Sequence, residues 1–307
     1  MSETIENEAG LFQSQQTRYR PSSFALAALG ILFVLYQFVG GGLTVLIIGT
    51  AITPDNVMSA RWATMLAQIL FLLLPTLYLA KRQNGSFADV FSFRMPSFRE
   101  WFLGLAGMLA LMQVAETYLY LQNMIPVPEP LAPYIQQFKD AIAATFKMLL
   151  LAESLPEMLF VLLVAAVTPA VCEELMFRGL IQRNFTLAYG GKLSFVYTGT
   201  IFALYHMNPF WLLPLIALGI YFSFLQYRSR SLWLPIAAHL INNGAATVGA
   251  FIYGSTDDTT PTLFLGAEAE PSMAAVLGTG GMFAVLFFLL INQYIRVTER
   301  IHTGEES

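Results

Sequence analysis

The stretch "PAVCEELMFRGLIQRNF", Pro169 to Phe185, places two adjacent glutamates and an arginine at the end of a long apolar run. A charged side chain at the centre of a bilayer costs at least about 2.5 kcal/mol on insertion scales, so such residues face a protein interior or a water-filled cavity. Glu174 and Arg178 are four residues apart and would pair on one face of a helix. Glu173 would point about 140° away from Arg178 and remain the free carboxylate. The stretch therefore predicts a polar cavity inside a bundle of membrane helices.

The composition supports this interpretation for the whole chain. Of 307 residues, 56% are hydrophobic and only 12% are charged, against about 25% charged residues in ordinary soluble domains. A run of about 20 apolar residues can cross a hydrocarbon core of about 30 Å. We therefore predict an all-α, polytopic membrane helix bundle of about eight spans, with seven and nine as alternatives because the fifth and sixth are short. The predicted spans are Phe24 to Ile48, Trp62 to Ala80, Trp101 to Tyr120, Leu155 to Leu180, Leu193 to Tyr205, Phe210 to Leu225, Leu232 to Tyr253 and Met273 to Ile291.

The polar segments predict the domain organisation and the orientation. We expect a single integral domain over residues 24–296, with a motif-bearing core at 155–253 and cytoplasmic tails at 1–23 and 297–307. With the N-terminus inside, most of the 16 lysines and arginines fall in the inner segments, which favours two cytoplasmic termini. The first apolar run follows a polar segment that contains Glu3, Glu6 and Glu8, with no basic region of the kind that begins a signal peptide, and it is too long for the apolar part of one. It is therefore interpreted as a retained anchor. We expect the plasma membrane as the location, with the endoplasmic reticulum as the alternative, lipids as partners, and no nucleic acid.

Between the third and fourth spans lies a long outer segment. A proline-rich loop at Pro126 to Pro133 is followed by an amphipathic stretch from Tyr134 to Lys147, which predicts a helix lying along the membrane interface. Glu153 and Glu157, at the start of the fourth span, are interpreted as interfacial or loop residues, as is Glu116 near the end of the third.

Two further motifs carry histidines. "FALYH" runs from Phe202 to His206 and "HLINN" from His239 to Asn243; in each, the first and last residues share a helix face. The chain has only three histidines, and two of them lie in predicted spans. Counting depth at about 1.5 Å per residue places His206, His239 and Asn243 near the level of Glu173. Four polar side chains from three helices are therefore predicted to meet in the membrane.

This set of groups suits hydrolysis of a peptide bond. A glutamate and a histidine can deprotonate water for attack on a carbonyl, while a second histidine and an asparagine amide can donate hydrogen bonds to the oxyanion. One glutamate and two histidines are also a zinc ligand set, and the spacing alone does not choose between the two. Pro169 predicts a kink and a freed backbone carbonyl beside the site. Asn242 would replace Asn243 as the inward residue if the helix were rotated.

The three motifs, taken in order, are Glu173-Glu174-x-x-x-Arg178, Phe202-x-x-x-His206 and His239-x-x-x-Asn243. They resemble the CPBP family of intramembrane proteases, which includes CAAX prenyl endopeptidases and bacteriocin-processing or immunity proteins. The resemblance covers about residues 161–250. It implies an eight-helix fold with a cavity open to the cytoplasm, in which Glu173 and His206 activate water and His239 and Asn243 hold the oxyanion. It also implies a metal-free mechanism without a cofactor, with zinc as the alternative, while Glu174, Arg178 and Phe202 are interpreted as structural support.

We therefore expect a glutamate-dependent intramembrane endopeptidase whose substrate is a peptide or protein. A prenylated C-terminus, a signal-peptide remnant and a secreted precursor would each suit a cytoplasm-facing cavity. Two other classes of function use the same residues. A proton-coupled transporter would relay protons through the glutamates and histidines, although the sequence contains no inverted repeat. A scaffold or immunity protein would bind a membrane partner without cleaving it.

Overall fold

The computed structural model describes residues 19–84, 86–88, 90–253 and 272–303. These residues form nine helices joined by loops, which confirms the all-α prediction. One isolated β-bridge, between Phe93 and Ser231, joins two of the loops. The helices are α1 (Pro21–Ile48), α2 (57–84), α3 (Phe98–Asn123), α4 (Ala132–Leu150), α5 (Leu155–Tyr189), α6 (Gly191–Tyr205), α7 (Leu212–Ser229), α8 (Trp233–Tyr253) and α9 (Met273–Thr303).

Five of these helices are long and apolar enough to cross a membrane, as judged by length and composition: α1, α2, α3, α5 and α9. The protein is therefore an integral, multi-pass membrane protein. The predicted fifth to seventh spans correspond to α6, α7 and α8, which do not meet the same criteria. Helix α6 has 15 residues, about 22 Å of rise, and α8 interrupts its apolar sequence with His239, Asn242 and Asn243. The count of eight spans stays a prediction.

The domain boundaries drawn from the sequence stay predictions. Nearly all of the predicted N-terminal tail, and the acidic segment at 254–271, lie outside the described residues. Helix α9 continues to Thr303, beyond the predicted boundary at residue 296.

Four stretches of the long helices are π-helical: Val34–Gly40 in α1, Ile69–Leu73 in α2, and Leu163–Val167 and Leu175–Ile181 in α5. A π-turn widens the helix locally, and such turns are frequent at functional sites. Glu173 and Glu174 lie between the two stretches of α5. The buried apolar core surrounds this part of α5 and includes Phe177 and Phe202.

Helix α4 confirms the amphipathic helix predicted after the proline-rich loop, and none of its residues is buried. Its C-terminal end is held by Arg61 of α2, whose side chain is only 1% exposed. Nε of Arg61 donates to the carbonyl of Leu149 at 3.0 Å, and Nη2 donates to the carbonyl of Leu151. Nη1 pairs with Glu157 at 2.6 Å. Arg61 therefore satisfies carbonyls that the end of a helix leaves without partners. Glu157, interpreted from the sequence as an interfacial or loop residue, lies in the first turn of α5 and forms an ion pair with Arg61.

Replacing Arg61 by methionine is expected to release the end of α4 from α2 and α5. The change leaves Glu157 and the freed carbonyls without their donor, at a cost of about 1–3 kcal/mol. Hydrogen exchange followed by mass spectrometry should show faster exchange over residues 148–157. Arg82→Met, at an exposed arginine on α2, is the control. Unchanged exchange over 148–157 in Arg61→Met would contradict the assigned role.

Helices α6 and α7 cross at two glycines. A Cβ atom on Gly199 would lie 2.3 Å from the backbone nitrogen of Ile220, and one on Gly219 would lie 2.5 Å from the carbonyl oxygen of Gly199. The backbones can approach this closely only without side chains, as small residues allow at membrane helix interfaces. The crossing fixes the position of Phe202, one turn further along α6.

Gly199→Ala is therefore expected to push α6 and α7 apart and to lower the free energy of unfolding by about 1–3 kcal/mol, as overpacking does. Gly30→Ala is the matched control, because Gly30 also lies within a long helix and a Cβ there meets nothing within 4 Å. Denaturant titration in mixed micelles measures both. Equal stability of the two variants would contradict the close crossing.

Candidate active site

A buried charged cluster connects α5 to α8. Nη1 of Arg178 pairs with Oε1 of Glu174 at 2.8 Å, and neither side chain is exposed. The predicted ion pair is thereby confirmed. The same oxygen accepts a hydrogen bond from Nδ1 of His239 at 2.8 Å. Glu174 therefore does more than neutralise Arg178, since it also fixes the ring of a histidine on another helix. The remaining ring nitrogen of His239, Nε2, is the one left to act on other groups.

Arg178 reaches further, to the glycine crossing of α6 and α7. Its Nη2 donates to the carbonyl of Gly219 at 3.0 Å. Its guanidinium carbon lies 4.5 Å from the ring centroid of Phe202, a cation–π geometry. A carboxylate, a carbonyl and an aromatic face thus replace part of the hydration that this buried arginine has lost.

Phe202 occupies the centre of the site. Its side chain is 2% exposed. Its ring centroid lies 4.6 Å from that of His206 and 5.9 Å from that of His239. The second histidine is further held by Phe222, which stacks on it at 5.2 Å. Phe202 therefore packs between the two histidines.

Glu173 and His206 face each other beside this cluster. Oε2 of Glu173 lies 3.9 Å from Nε2 of His206. The side chains are 13% and 33% exposed, so this pair is more accessible than the Glu174 cluster. Nδ1 of His206 lies 2.8 Å from the carbonyl oxygen of Phe202; because a carbonyl only accepts, Nδ1 carries the proton of the neutral ring. Nε2 then bears the lone pair that faces the carboxylate.

Asn243 of α8 contacts an earlier turn of α5. Its Nδ2 donates to the carbonyl oxygen of Ala165 at 3.1 Å. In an α-helix that carbonyl would accept from residue 169, but Pro169 has no N–H. The carbonyl that the sequence predicted to be freed is therefore taken by Asn243. Asn242 donates to Oδ1 of Asn243 at 3.1 Å, and one amide hydrogen of Asn243 remains for another acceptor.

The predicted site residues are thus placed as follows. The structure brings Glu173 and His206 together, and it links His239 to Glu174, the immediate neighbour of Glu173. Asn243 shares the inward face of α8 with His239, one turn away. Within the described part of the chain, no three histidine, cysteine, aspartate or glutamate side chains are arranged to hold a metal ion. The catalytic roles and the dependence on metal stay predictions.

Helices α1 and α2 also contribute residues near the site, and the sequence motifs do not indicate them. In the π-helical stretch of α1, Tyr36 lies close to Gln68 of α2 and to Glu173. The next residue, Gln37, donates from Nε2 to the carbonyl of Tyr205 at 2.8 Å. The signal that could have identified them is two adjacent polar residues in an otherwise apolar span.

Comparisons with known proteins find matches over the same region. Residues 155–245 match the family described as "Type II CAAX prenyl endopeptidase Rce1-like". The chain is similar to the "Putative membrane peptidase YdiL" of Bacillus subtilis (strain 168), with 32% identity over 86 residues, 27% of this chain and 34% of the relative. The chain thus matches about a third of the length of this relative. No solved structure matches significantly. The two matches confirm the resemblance to the CPBP family over the part of the chain that holds the site.

Proposed function

We propose that this protein is an intramembrane endopeptidase that hydrolyses a peptide bond with water activated by Glu173 and His206. The observation that carries the proposal is the 3.9 Å approach of these two side chains. The two residues lie beside a buried charged cluster, within the region that matches the type II CAAX prenyl endopeptidases. The resemblance implies a protease, and the geometry supplies groups that can perform the reaction.

The pair is suited to bind and deprotonate water. The Glu173 carboxylate and the lone pair on Nε2 of His206 are both acceptors, so they cannot bond to each other. A water molecule can donate one hydrogen to each. As its oxygen attacks the carbonyl carbon of the substrate, one proton passes to this pair. The same proton can then reach the leaving amine, and the C–N bond breaks.

His239 and Asn243 would stabilise the oxyanion that forms during the attack. Nδ1–H of His239 is held by Glu174, so Nε2 can donate only when the ring carries both protons. In that form the ring also places a positive charge beside the oxyanion. The second amide hydrogen of Asn243 supplies a further donor.

The substrate would be a peptide or protein segment that enters the bundle from the end where the basic residues collect. By the distribution of lysine and arginine, that end is cytoplasmic, in the plasma membrane. An extended chain with an apolar anchor, such as a prenylated C-terminus, would fit this approach.

Comparative peptidomics tests the proposal directly. Membranes containing the wild-type protein or Glu173→Ala would be compared by mass spectrometry of their peptides. We expect peptides that are present only with the wild-type protein and that share a cleavage site. Identical peptide populations, at equal amounts of folded protein, would refute the endopeptidase.

Removal of zinc is expected to leave the activity unchanged, because water activation is assigned to Glu173 and His206 alone. The measurement is turnover of a substrate found by peptidomics after exhaustive chelation, with metal content verified by mass spectrometry. A zinc protease treated in parallel is the control. Activity that disappears on chelation and returns with zinc would overturn the metal-free mechanism.

A further inference from the structure

The histidine of the proposed water-activating pair lies at the very end of a helix. Helix α6 ends at Tyr205, and His206 is its C-terminal cap. The N–H of His206 bonds to Ala203 and that of Met207 bonds to Leu204, so the last turn is tightened to three-residue bonds. Met207 then adopts a φ of 48°, in the left-handed region. The backbone that carries His206 is therefore not held by a continuing helix.

A side chain from α1 holds this helix end instead. The last carbonyls of a helix have no partner within it, and the carbonyl of Tyr205 accepts from Nε2 of Gln37 at 2.8 Å. Tyr205 precedes His206 directly, so the bond acts on the peptide unit from which His206 projects. A second link joins the same helices, because the Tyr205 hydroxyl donates to the carbonyl of Leu29.

The surroundings of Gln37 explain why this bond should be strong. Most residues of helix α1 face outward, because only 11% of its most apolar window is buried, the same share as in α9. Phe38, the residue that follows Gln37, is 66% exposed. In lipid there is no water to take up an unpaired amide or carbonyl, so each such group needs a protein partner. The Gln37 amide and the Tyr205 carbonyl satisfy each other in that environment.

We propose that Gln37 is a positioning residue that fixes His206 opposite Glu173. The inference rests on the proposed function, and it assigns to α1, which lies outside the region of family similarity, a part in the same reaction. Two hydrogen bonds fix the position of the His206 imidazole. The carbonyl of Phe202 accepts from Nδ1 of the ring, and Gln37 donates to the carbonyl of the peptide unit that precedes His206. Without the second bond, the helix end can shift while the substrate still binds.

Gln37→Met tests this role, since methionine keeps the length of the side chain and removes its donors. A displacement of about 1 Å can lower a rate about 100-fold, so we expect kcat to fall about 10- to 100-fold and KM to change less than about twofold. Phe38→Leu, at the lipid-facing neighbour, should leave both constants unchanged. Tyr205→Phe removes the other link between the helices and should leave kcat within about twofold of the wild type, because the Gln37 bond persists.

A spectroscopic readout separates this inference from the proposed function. The chain has three histidines, so ¹⁵N-histidine labelling gives few imidazole signals. We expect Gln37→Met to shift the signals of His206 and to leave those of His239 in place. If Glu173→Ala retains turnover, the proposed endopeptidase mechanism is refuted. The imidazole signals of His206 still decide whether Gln37 positions that histidine.

Three results would overturn the inference: unchanged His206 signals in Gln37→Met, a rise in KM without a fall in kcat, or an equal loss in Tyr205→Phe. If Gln37→Met is not recovered as a monodisperse protein, Gln37→Asn gives the same decision. Its amide is one methylene shorter and cannot reach the Tyr205 carbonyl without movement of the helix.

Discussion

Turnover is expected to fall about 10²- to 10⁴-fold when Glu173 is replaced by glutamine, which is the contribution of a positioned general base. Glutamine keeps the shape of the side chain but cannot accept the proton of the attacking water. We expect the variant to fold, because within the described part of the chain the Glu173 carboxylate forms no ion pair with an arginine or a lysine. The measurement is kcat/KM with a substrate identified by peptidomics.

Glu153→Gln is the matched control, since Glu153 is an exposed carboxylate just before the same helix. This variant should leave kcat/KM unchanged. His206→Gln is expected to give a loss similar to that of Glu173→Gln, and the double variant should lose little more, because residues that act as a unit are not additive. Turnover of Glu173→Gln at the wild-type rate would exclude Glu173 as the base.

Stability is expected to fall by about 3–5 kcal/mol in Arg178→Met, the range for breaking a buried ion pair. The change leaves the carboxylate of Glu174 with His239 as its remaining partner and removes the bond to Gly219. It also leaves the face of Phe202 without its cation. The free energy of unfolding in mixed micelles measures the effect.

The double variant Glu174→Gln/Arg178→Met decides whether the loss is electrostatic. With both charges removed, more than half of the lost stability should return, although activity should not, because His239 loses its carboxylate. Arg82→Met again serves as the exposed control. A double variant as unstable as the sum of the single variants would show that the pair contributes packing rather than charge.

Much of the charged cluster could be predicted from the sequence because its spacing is local. Glu174 and Arg178 are four residues apart on one helix, and the pair forms as expected. The consequence of Pro169 was also local, and a freed carbonyl lies beside the site. Its partner, Asn243, could not be identified, because the choice depends on how α8 packs against α5.

The contacts between distant parts of the chain could not be predicted from the sequence, because they depend on how the helices pack. Nothing in the sequence joins Glu174 to His239, which are 65 residues apart. Arg61 directly precedes the predicted second span in the sequence, yet it is buried against the end of α4. Gln37 lies more than 100 residues from the motifs and touches the site through a backbone carbonyl, a kind of contact that no pattern of side chains reports.

The crossing at Gly199 and Gly219 links the mechanics of the bundle to its electrostatics. Gly219 sets how near α7 comes to α6, and its carbonyl also accepts from Arg178. Separation of these two helices would therefore weaken the support of the guanidinium that neutralises Glu174. Lateral pressure from the surrounding lipid acts on the spacing of helices. The thickness and curvature of the host bilayer should therefore change the electric field at the imidazole of His239.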